Sequence, residues 1–429
     1  MKTTISGWGL FPRGETELLP IDRILDFAGA GVARGAGRSY GDASFRSKGL
    51  TYLTNSLSHF IDFDPETGVL VAEGGVTLYE VLQTFLPRGW FPAVVPGTQF
   101  VTIGGAIASN IHGKNHHIDG SFCDHVEWID ILLANGAIRR LTPEDELFWT
   151  TAGGMGLTGV ILRAAIRLVR IPTSFVRNTT YKTSTIEKAL EILLAEDEKY
   201  PFAVAWVDHA DSKGRSVVHL GRWADISDVP PSMKGFTPHA AEKLSVPFTP
   251  PFRLISGLSV RTIASFYWLT NPAGSHLVPY HKYFFPLDGI RNWNRAWGPH
   301  GFIQFQFVVP EIADLLVLWD SLRKVPAKSF LTVVKRMGPQ KGPLAFSGPG
   351  WTLAIDLPST EAVRRALLPL YHQVAEKNGR IYLTKDSLLT PDLFQAMYPE
   401  YKRFLTQKAQ IDPTGRWASD LSKRIQLTD

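Results

Sequence analysis

Residues 33–44 read ARGAGRSYGDAS. Gly35, Gly37 and Gly41 stand among Arg34, Arg38, Ser39 and Asp42, with Ala33, Ala36, Tyr40 and Ala43 between and around them. Glycine lets backbone approach a ligand closely, and successive N–H groups in such a turn form a nest for an anion. Ser39 adds a hydroxyl donor, and Arg34 or Arg38 adds charge. The stretch is not a Rossmann fingerprint, which needs G-x-G-x-x-G opening a helix; here Gly37 is followed by Arg-Ser-Tyr-Gly-Asp. It is not a Walker A loop either, because no Gly-Lys-Ser/Thr follows. By itself it reads as a phosphate nest or as a solvent turn with incidental charge.

A second stretch weighs toward the nest. Residues 96–117 read PGTQFVTIGGAIASNIHGKNHH, and Gly97, Thr98 and Thr102-Ile103-Gly104-Gly105 give another small-residue surface with backbone N–H groups. A flat ligand can lie against GGAIASNI. A third stretch, TAGGMGLTGVI at 151–161, is placed to close the same site. Two such surfaces some sixty residues apart bracket a pyrophosphate-containing cofactor.

The chain has 429 residues, which predicts two domains. Its 44% hydrophobic and 20% charged content is that of a globular protein, and a net charge of +5 fits an anionic ligand without requiring nucleic acid. Cys123 is the single cysteine, so the chain holds no disulfide framework and no thiolate zinc site. No apolar export segment and no membrane span is read, which predicts a cytoplasmic protein, peripheral at the inner membrane face. Residues 60–73 read as a hairpin, 76–90 as a helix with a Thr77/Glu80 capping box, 128–141 as a hairpin turning at Asn135-Gly136, and 142–149 as a helix capped by Thr142. Residues 301–310 and 351–358 read as strands, each followed by a helix, from Glu311 and from about 360 to 377. The stretch 226–275 is Pro-rich and aromatic, reads as poor helix and poor strand, and is expected to be a long irregular excursion or a disordered insertion. The tail, 411–427, is expected to pack back onto the first domain.

RGAGRSYGD, PGTQFVTIGGAIASNIHGKNHHIDGSF, GGMGLTGVI, YLTKDS and DPTGRWASDLSKRI closely resemble the decaprenylphosphoryl-β-D-ribose 2′-oxidases, FAD enzymes of the vanillyl-alcohol-oxidase type. The resemblance runs from about residue 8 to the end. It implies an α+β, two-domain fold: a PCMH-type FAD-binding domain over 1–173, a substrate domain on an antiparallel sheet over 174–379, and a return to the first domain over 380–429. It implies that FAD is cradled by Ala33 through Ala43, Gly97, Thr102 to Gly105, Ser109, Asn110, Ile111, His112, Ile161 and Tyr382. Lys385, His112 and Lys335 take the catalytic roles by the same resemblance, and Lys114, Gln304, Gln306, Phe284, Thr352 and Lys335 line the substrate side. Lys385 would stand at the flavin N1/C2=O edge or beside the reacting hydroxyl. Lys114, Lys335 and Arg336 are candidate cations for a substrate phosphate.

The implied reaction oxidises the 2′-hydroxyl of a polyprenylphosphoryl ribose to a ketone. A separate NAD(P)H-dependent short-chain reductase then completes the epimerisation to the arabinofuranose donor of cell-envelope polysaccharide. Many relatives bond the flavin through a histidine in the first loop; Arg38 stands there, so FAD is expected to be non-covalent. The family's inhibitor-reactive cysteine is Ala354, and the tyrosine of its F-Y-H-P-L-D stretch is Phe284. Rival readings are an oxidase of another sugar, alditol or aldonolactone, a non-catalytic flavin-scaffold binder, and a metal hydrolase using the cluster from His112 to His125.

Overall fold

Side chains alternate between the two faces of a strand, and the strand Phe302–Val309 shows what that does here. Ile303, Phe305, Phe307 and Val309 enter the larger core, while Gln304 and Gln306 face a cavity on the other side. The computed structural model, which describes residues 2–24, 29–231, 235–239 and 244–428, repeats this pattern across an eight-stranded antiparallel sheet. Its order is Gly274–Pro279, Phe175–Thr183, Ser216–Trp223, Phe202–Val207, Thr332–Met337, Gly350–Pro358, Phe302–Val309 and Arg380–Ile381. Helices Ile186–Glu196, Ile312–Leu322 and Glu361–Glu376 pack on one face. The opposite face is left for the site.

The first 173 residues build two smaller sheets. One pairs Lys2–Ser6, Arg13–Pro20, Leu50–Leu53 and Gly31–Arg34; the last two strands are parallel and deliver the 33–44 loop. The other is centred on the long strand Val160–Arg170, flanked by Val69–Glu73 and Val126–Leu132. The hairpin expected over 60–73 is present as Phe60–Asp64 and Val69–Glu73, and the helix Leu78–Phe85 carries the Thr77/Glu80 capping box. The hairpin at 135–136 turns on Gly136 alone, at φ 85°. The expected strands and helices after 301 and 351 are also formed.

Two expectations need correcting. The helix expected from Thr142 begins at Glu146, because the Asp145 carboxylate accepts the Thr142 N–H at 2.8 Å and closes a turn first. The 226–275 stretch is not irregular throughout: Gly257–Thr270 is a 14-residue helix, opened by a Ser256/Ser259 capping box. Val260 and Ala264 face inward, but Leu258, Phe266 and Leu269 face out at 80%, 67% and 73% exposure. Apolar residues on both faces erase the period that marks a surface helix. Residues 232–234 and 240–243 of the same stretch lie outside the described residues.

The tail packs onto the first sheets, as expected. Trp417 bridges to Gly31 and meets Tyr52 edge-on, and Arg424 clamps Asp42 and Asp386. Lys408 anchors it: its buried ammonium donates to Asp412 Oδ2 at 2.6 Å and to the carbonyls of Leu157 and Trp417. Lys408→Met should cost about 3–5 kcal/mol, because it strands a buried carboxylate. Chemical denaturation reads this directly, and a loss under about 1 kcal/mol would remove Lys408 as the anchor.

Candidate active site

A cavity of about 740 Å³ lies between the glycine loops and the open face of the eight-stranded sheet. Ala33, Gly35, Ala36, Gly37, Arg38, Ser39, Tyr40 and Ala43 line it from the first loop. Gly97, Thr102, Gly104, Gly105, Ser109, Ile111 and His112 line it from the second, with Ile161 and Tyr382 closing the wall. Thus residues far apart in the chain converge on one space.

Loop by loop, the chemistry differs from a simple nest count. In the first loop, the backbone N–H groups of Ala36, Gly37, Arg38 and Ser39 have no protein acceptor among the described residues. Gly37 sits at φ 64°, a conformation that favours glycine. Arg38 lies over the Trp8 ring at 4.0 Å, and its buried Nε lacks a hydrogen-bond partner. In the second loop the N–H groups are already spent: Ile103 donates to Val76, Gly104 to Gly74, and Gly105 to the Thr102 hydroxyl. Gly104 and Gly105 serve close packing instead: a Cβ on the former would stand 3.0 Å from the Gly74 carbonyl and one on the latter 3.0 Å from Thr102 Oγ1, while Gly97 faces open space. Open donors and an orphaned guanidinium nitrogen fit a pyrophosphate at the first loop, and the flat second surface fits an aromatic ring system.

Five residues expected in the cradle do not line the cavity. Arg34 spends its guanidinium on Ser44 Oγ and the Ser6 carbonyl, and burial lowers it to about 10. Gly41 packs against the Asp386 carbonyl, Asp42 is held by Arg424, Ile103 is in the apolar core, and Asn110 Oδ1 accepts the Cys123 N–H. Each shapes the loop rather than its surface.

Across the cavity lie Lys114, Phe284, Gln304, Gln306, Lys335, Thr352, Ala354 and Lys385. Lys335 Nζ donates to the Gly113 carbonyl at 2.6 Å and meets His112 Nδ1 at 2.8 Å. Gln306 Nε2 stands 3.1 Å from His112 Nε2 and 3.3 Å from Thr352 Oγ1. Lys385 follows the Arg380–Ile381 strand, in a turn closed by its own N–H on the Tyr382 carbonyl and tied to the first loop by Tyr40 N–H on Thr384. Its Nζ sits 3.5 Å over the Tyr40 ring. Burial lowers Lys114, Lys335 and Lys385 to about 7, with neighbouring lysines adding to the effect at Lys335 and Asp356 opposing it at Lys385. Burial, then Lys335, holds His112 well below its ordinary range.

Arg336, expected as a phosphate cation, is turned away. It follows Lys335 on the strand, so it points to the other face, where it pairs with Asp197 at 3.0 Å. Asp356 was not anticipated. It is fully buried, accepts from Gln304 Nε2 at 2.6 Å, and is the carboxylate that acts on Lys385. Its signal was present: a lone acid in the apolar strand GWTLAIDLP. No group of three His, Cys, Asp or Glu side chains among the described residues could hold a metal. His116 instead bonds Ser121 and Gly338, His117 the carbonyls of Asp197 and Tyr200, and His125 the Asp119 carbonyl, so the cluster is structural.

The sequence profile of the FAD binding domain family matches residues 12–142. With this cavity, that defines a two-domain α+β FAD-binding fold of the vanillyl-alcohol-oxidase type: an FAD-dependent oxidoreductase acting on CH–OH groups. The chain is 35% identical to decaprenylphosphoryl-beta-D-ribose oxidase of Mycolicibacterium smegmatis, over 95% of this chain and 92% of that protein. It belongs to the decaprenylphosphoryl-β-D-ribose oxidase family. An uncharacterized protein of Streptomyces coelicolor is 30% identical over 82% of this chain and its own whole length. L-gulonolactone oxidase 3 of Arabidopsis thaliana is 26% identical over 37% of this chain and 28% of its own. FAD is held without a covalent bond.

Proposed function

We propose that the chain oxidises the 2′-hydroxyl of a polyprenylphosphoryl-β-D-ribose to the 2′-keto sugar. One observation carries this reading: Lys114, Lys335 and Lys385 converge on a cavity continuous with the flavin cradle, and Asp356 is the carboxylate that acts among them. Burial disfavours the ammonium forms of these lysines, and an anionic sugar restores them where a neutral alditol or lactone does not. Bound FAD supplies the hydride acceptor. The chain must take the hydroxyl proton and stabilise the negative charge that develops. Lys335, pushed toward its neutral form by burial, is placed to accept that proton while its two N–H groups hold Gly113 and His112. Lys385, lowered by burial and partly restored by Asp356, faces the developing charge. Gln306, held by Thr352, fixes the His112 ring, Gln304 is fixed by Asp356, and Phe284 and Ala354 shape the wall.

On this reading residues 1–173 with 380–429 form the FAD domain and 174–379 the substrate domain. The product is a ketone, so a partner reductase of the NAD(P)H-dependent short-chain type is needed for net epimerisation. The polyprenyl tail places the chain at the cytoplasmic membrane surface. No helix among the described residues is long and apolar enough to cross a membrane. Support comes from the outward face of Gly257–Thr270, and from five basic residues against the single acid Asp288 over 244–300. Leu258→Glu with Phe266→Glu should cut binding to anionic vesicles at least tenfold, since each apolar side chain contributes about 1.5–3 kcal/mol when buried. Unchanged co-sedimentation would remove this face as the docking surface.

The decisive test is anaerobic mixing of the FAD-loaded protein with polyprenylphosphoryl ribose. Bleaching of the flavin band is expected, with all flavin released on acid precipitation. Bleaching by aldonolactones or alditols but not by this lipid would overturn the substrate.

A further inference from the structure

The cavity does not end at Lys335. Beyond it lies a lobe walled by Val204, Trp206, Ile263 and Val278. Three polar side chains interrupt this apolar wall, each from a different element: Asn178 on Phe175–Thr183, His219 on Ser216–Trp223 and Tyr267 on Gly257–Thr270. They form a chain. Asn178 Nδ2 lies 3.0 Å from His219 Nδ1 and donates to it. A neutral imidazole that accepts at Nδ1 carries its hydrogen on Nε2, so His219 donates to the Tyr267 oxygen at 3.0 Å. Burial, then Lys114, lowers His219 to about 3, and burial raises the Tyr267 phenol above its ordinary range. Both therefore stay in the forms the chain requires. Its direction leaves the Tyr267 O–H hydrogen unspent, and the phenol has no other hydrogen bond among the described residues.

The sheet gives the order of compartments. Lys335 lies on Thr332–Met337; next to it is Phe202–Val207, where Ala203 N–H donates to the Lys114 carbonyl at 3.0 Å, and Val204 on that strand pairs with His219 on the strand after. Outward from the flavin cradle the sequence is Lys385, Lys335, Lys114 and then the His219 lobe. Lys114 Nζ donates to the Tyr283 carbonyl at 2.5 Å and has no carboxylate partner among the described residues. In a glycosyl phosphate the phosphate is bonded directly to the sugar, so it occupies the next compartment out.

We propose that this lobe is the phosphate subsite: Lys114 supplies the charge, and the Tyr267 hydroxyl, aimed by His219 and Asn178, supplies a neutral donor. The identity of the bound phosphate as that of a lipid-linked sugar rests on the function proposed above. Lys114 and Tyr267 bind and select; neither enters the oxidation.

Trp206 lies against Tyr267 with ring centroids 4.6 Å apart, so tryptophan fluorescence of the FAD-loaded protein reports on the lobe. Farnesyl phosphate should bind, inorganic phosphate should compete with it, and farnesol should bind at least tenfold more weakly. Tyr267→Phe should weaken farnesyl phosphate about tenfold, the scale of one hydrogen bond to a charged group, and leave farnesol unchanged. His219→Gln should weaken farnesyl phosphate by less. With polyprenylphosphoryl ribose, Tyr267→Phe should raise the half-saturating concentration for flavin bleaching by more than it lowers the limiting rate. Equal affinity of wild type and Tyr267→Phe for farnesyl phosphate would overturn the subsite, as would a parallel loss for farnesol. If farnesyl phosphate binding depends on Tyr267 but wild type is not bleached by the ribose lipid, the anion site stands and the proposed substrate falls. If bleaching occurs and Tyr267→Phe binds normally, the substrate stands and the subsite falls.

Discussion

Lys385→Met should slow substrate-driven flavin bleaching by about 10²–10³-fold, the usual cost of removing one preorganised donor to a developing charge. The side chain is held from three directions. Its turn is tied to the first loop through Tyr40 N–H, its ammonium rests over the Tyr40 ring, and the next residue, Asp386, is gripped by Tyr371, Arg424 and the N–H groups of Leu388 and Leu389. Methionine keeps the stem and removes only the charge, so the variant should fold and retain FAD. The pH profile carries the signature of the role. An ammonium that must stay protonated loses activity as pH rises through its pKa, which burial sets at about 7 and Asp356 holds from falling further. Asp356→Asn removes that opposing charge, so the alkaline limb should move to lower pH. A Lys385→Met variant bleached at the wild-type rate would exclude it from catalysis. An unmoved limb in Asp356→Asn would show that Lys385 is set by something else.

Gly97→Leu should abolish FAD binding while leaving the chain folded. Gly97 lines the cavity, and a Cβ built there meets nothing within 4 Å. No neighbour is displaced, so the added side chain projects into the space assigned to the cofactor. The flavin-to-protein absorbance ratio should fall more than tenfold with an unchanged far-UV spectrum. The melting temperature should drop to that of wild-type apoprotein, since the difference between the two is ligand linkage. Gly97→Ala, one carbon rather than four, should fall between. Full flavin content in Gly97→Leu would move the cofactor off this wall. Gly35→Leu would not be as clean a test, because its Cβ collides with Thr102 and the variant would disturb the loop itself.

Much of the site was legible because backbone geometry leaves marks in sequence. Positive-φ and close-approach positions favour glycine, so Gly35, Gly37, Gly104 and Gly105 announced a loop surface before any contact was known. The hairpins at 60–73 and 128–141 and the Thr77/Glu80 box were equally local. Facing was legible wherever strand period held: Gln304 and Gln306 had to share a face. The same rule, applied to Lys335 and Arg336, would have turned Arg336 away. The helix Gly257–Thr270 was not legible, because Leu258, Phe266 and Leu269 put large apolar side chains on its outer face too.

Taken alone, the sequence determined the hairpins, the capping box and the position of the glycine-rich loop, since these follow from short-range constraints of φ, turn chemistry and strand period, while the class of fold was legible through the length and order of the family motifs. It also determined that no thiol stands at position 354 and no histidine at position 38. The tertiary structure alone decided which charges are spent and which remain available. Arg34 and Arg38 are four residues apart and look alike in sequence, yet one is consumed by Ser6 and Ser44 while the other keeps a buried nitrogen without a partner. Likewise Asp356 acts through space on Lys385, and His219 meets Tyr267, across strands and helices remote in the chain. The state of a buried ionisable or hydrogen-bonding group depends on desolvation and on neighbours a few ångströms away, and those neighbours are set by folding rather than by order along the chain.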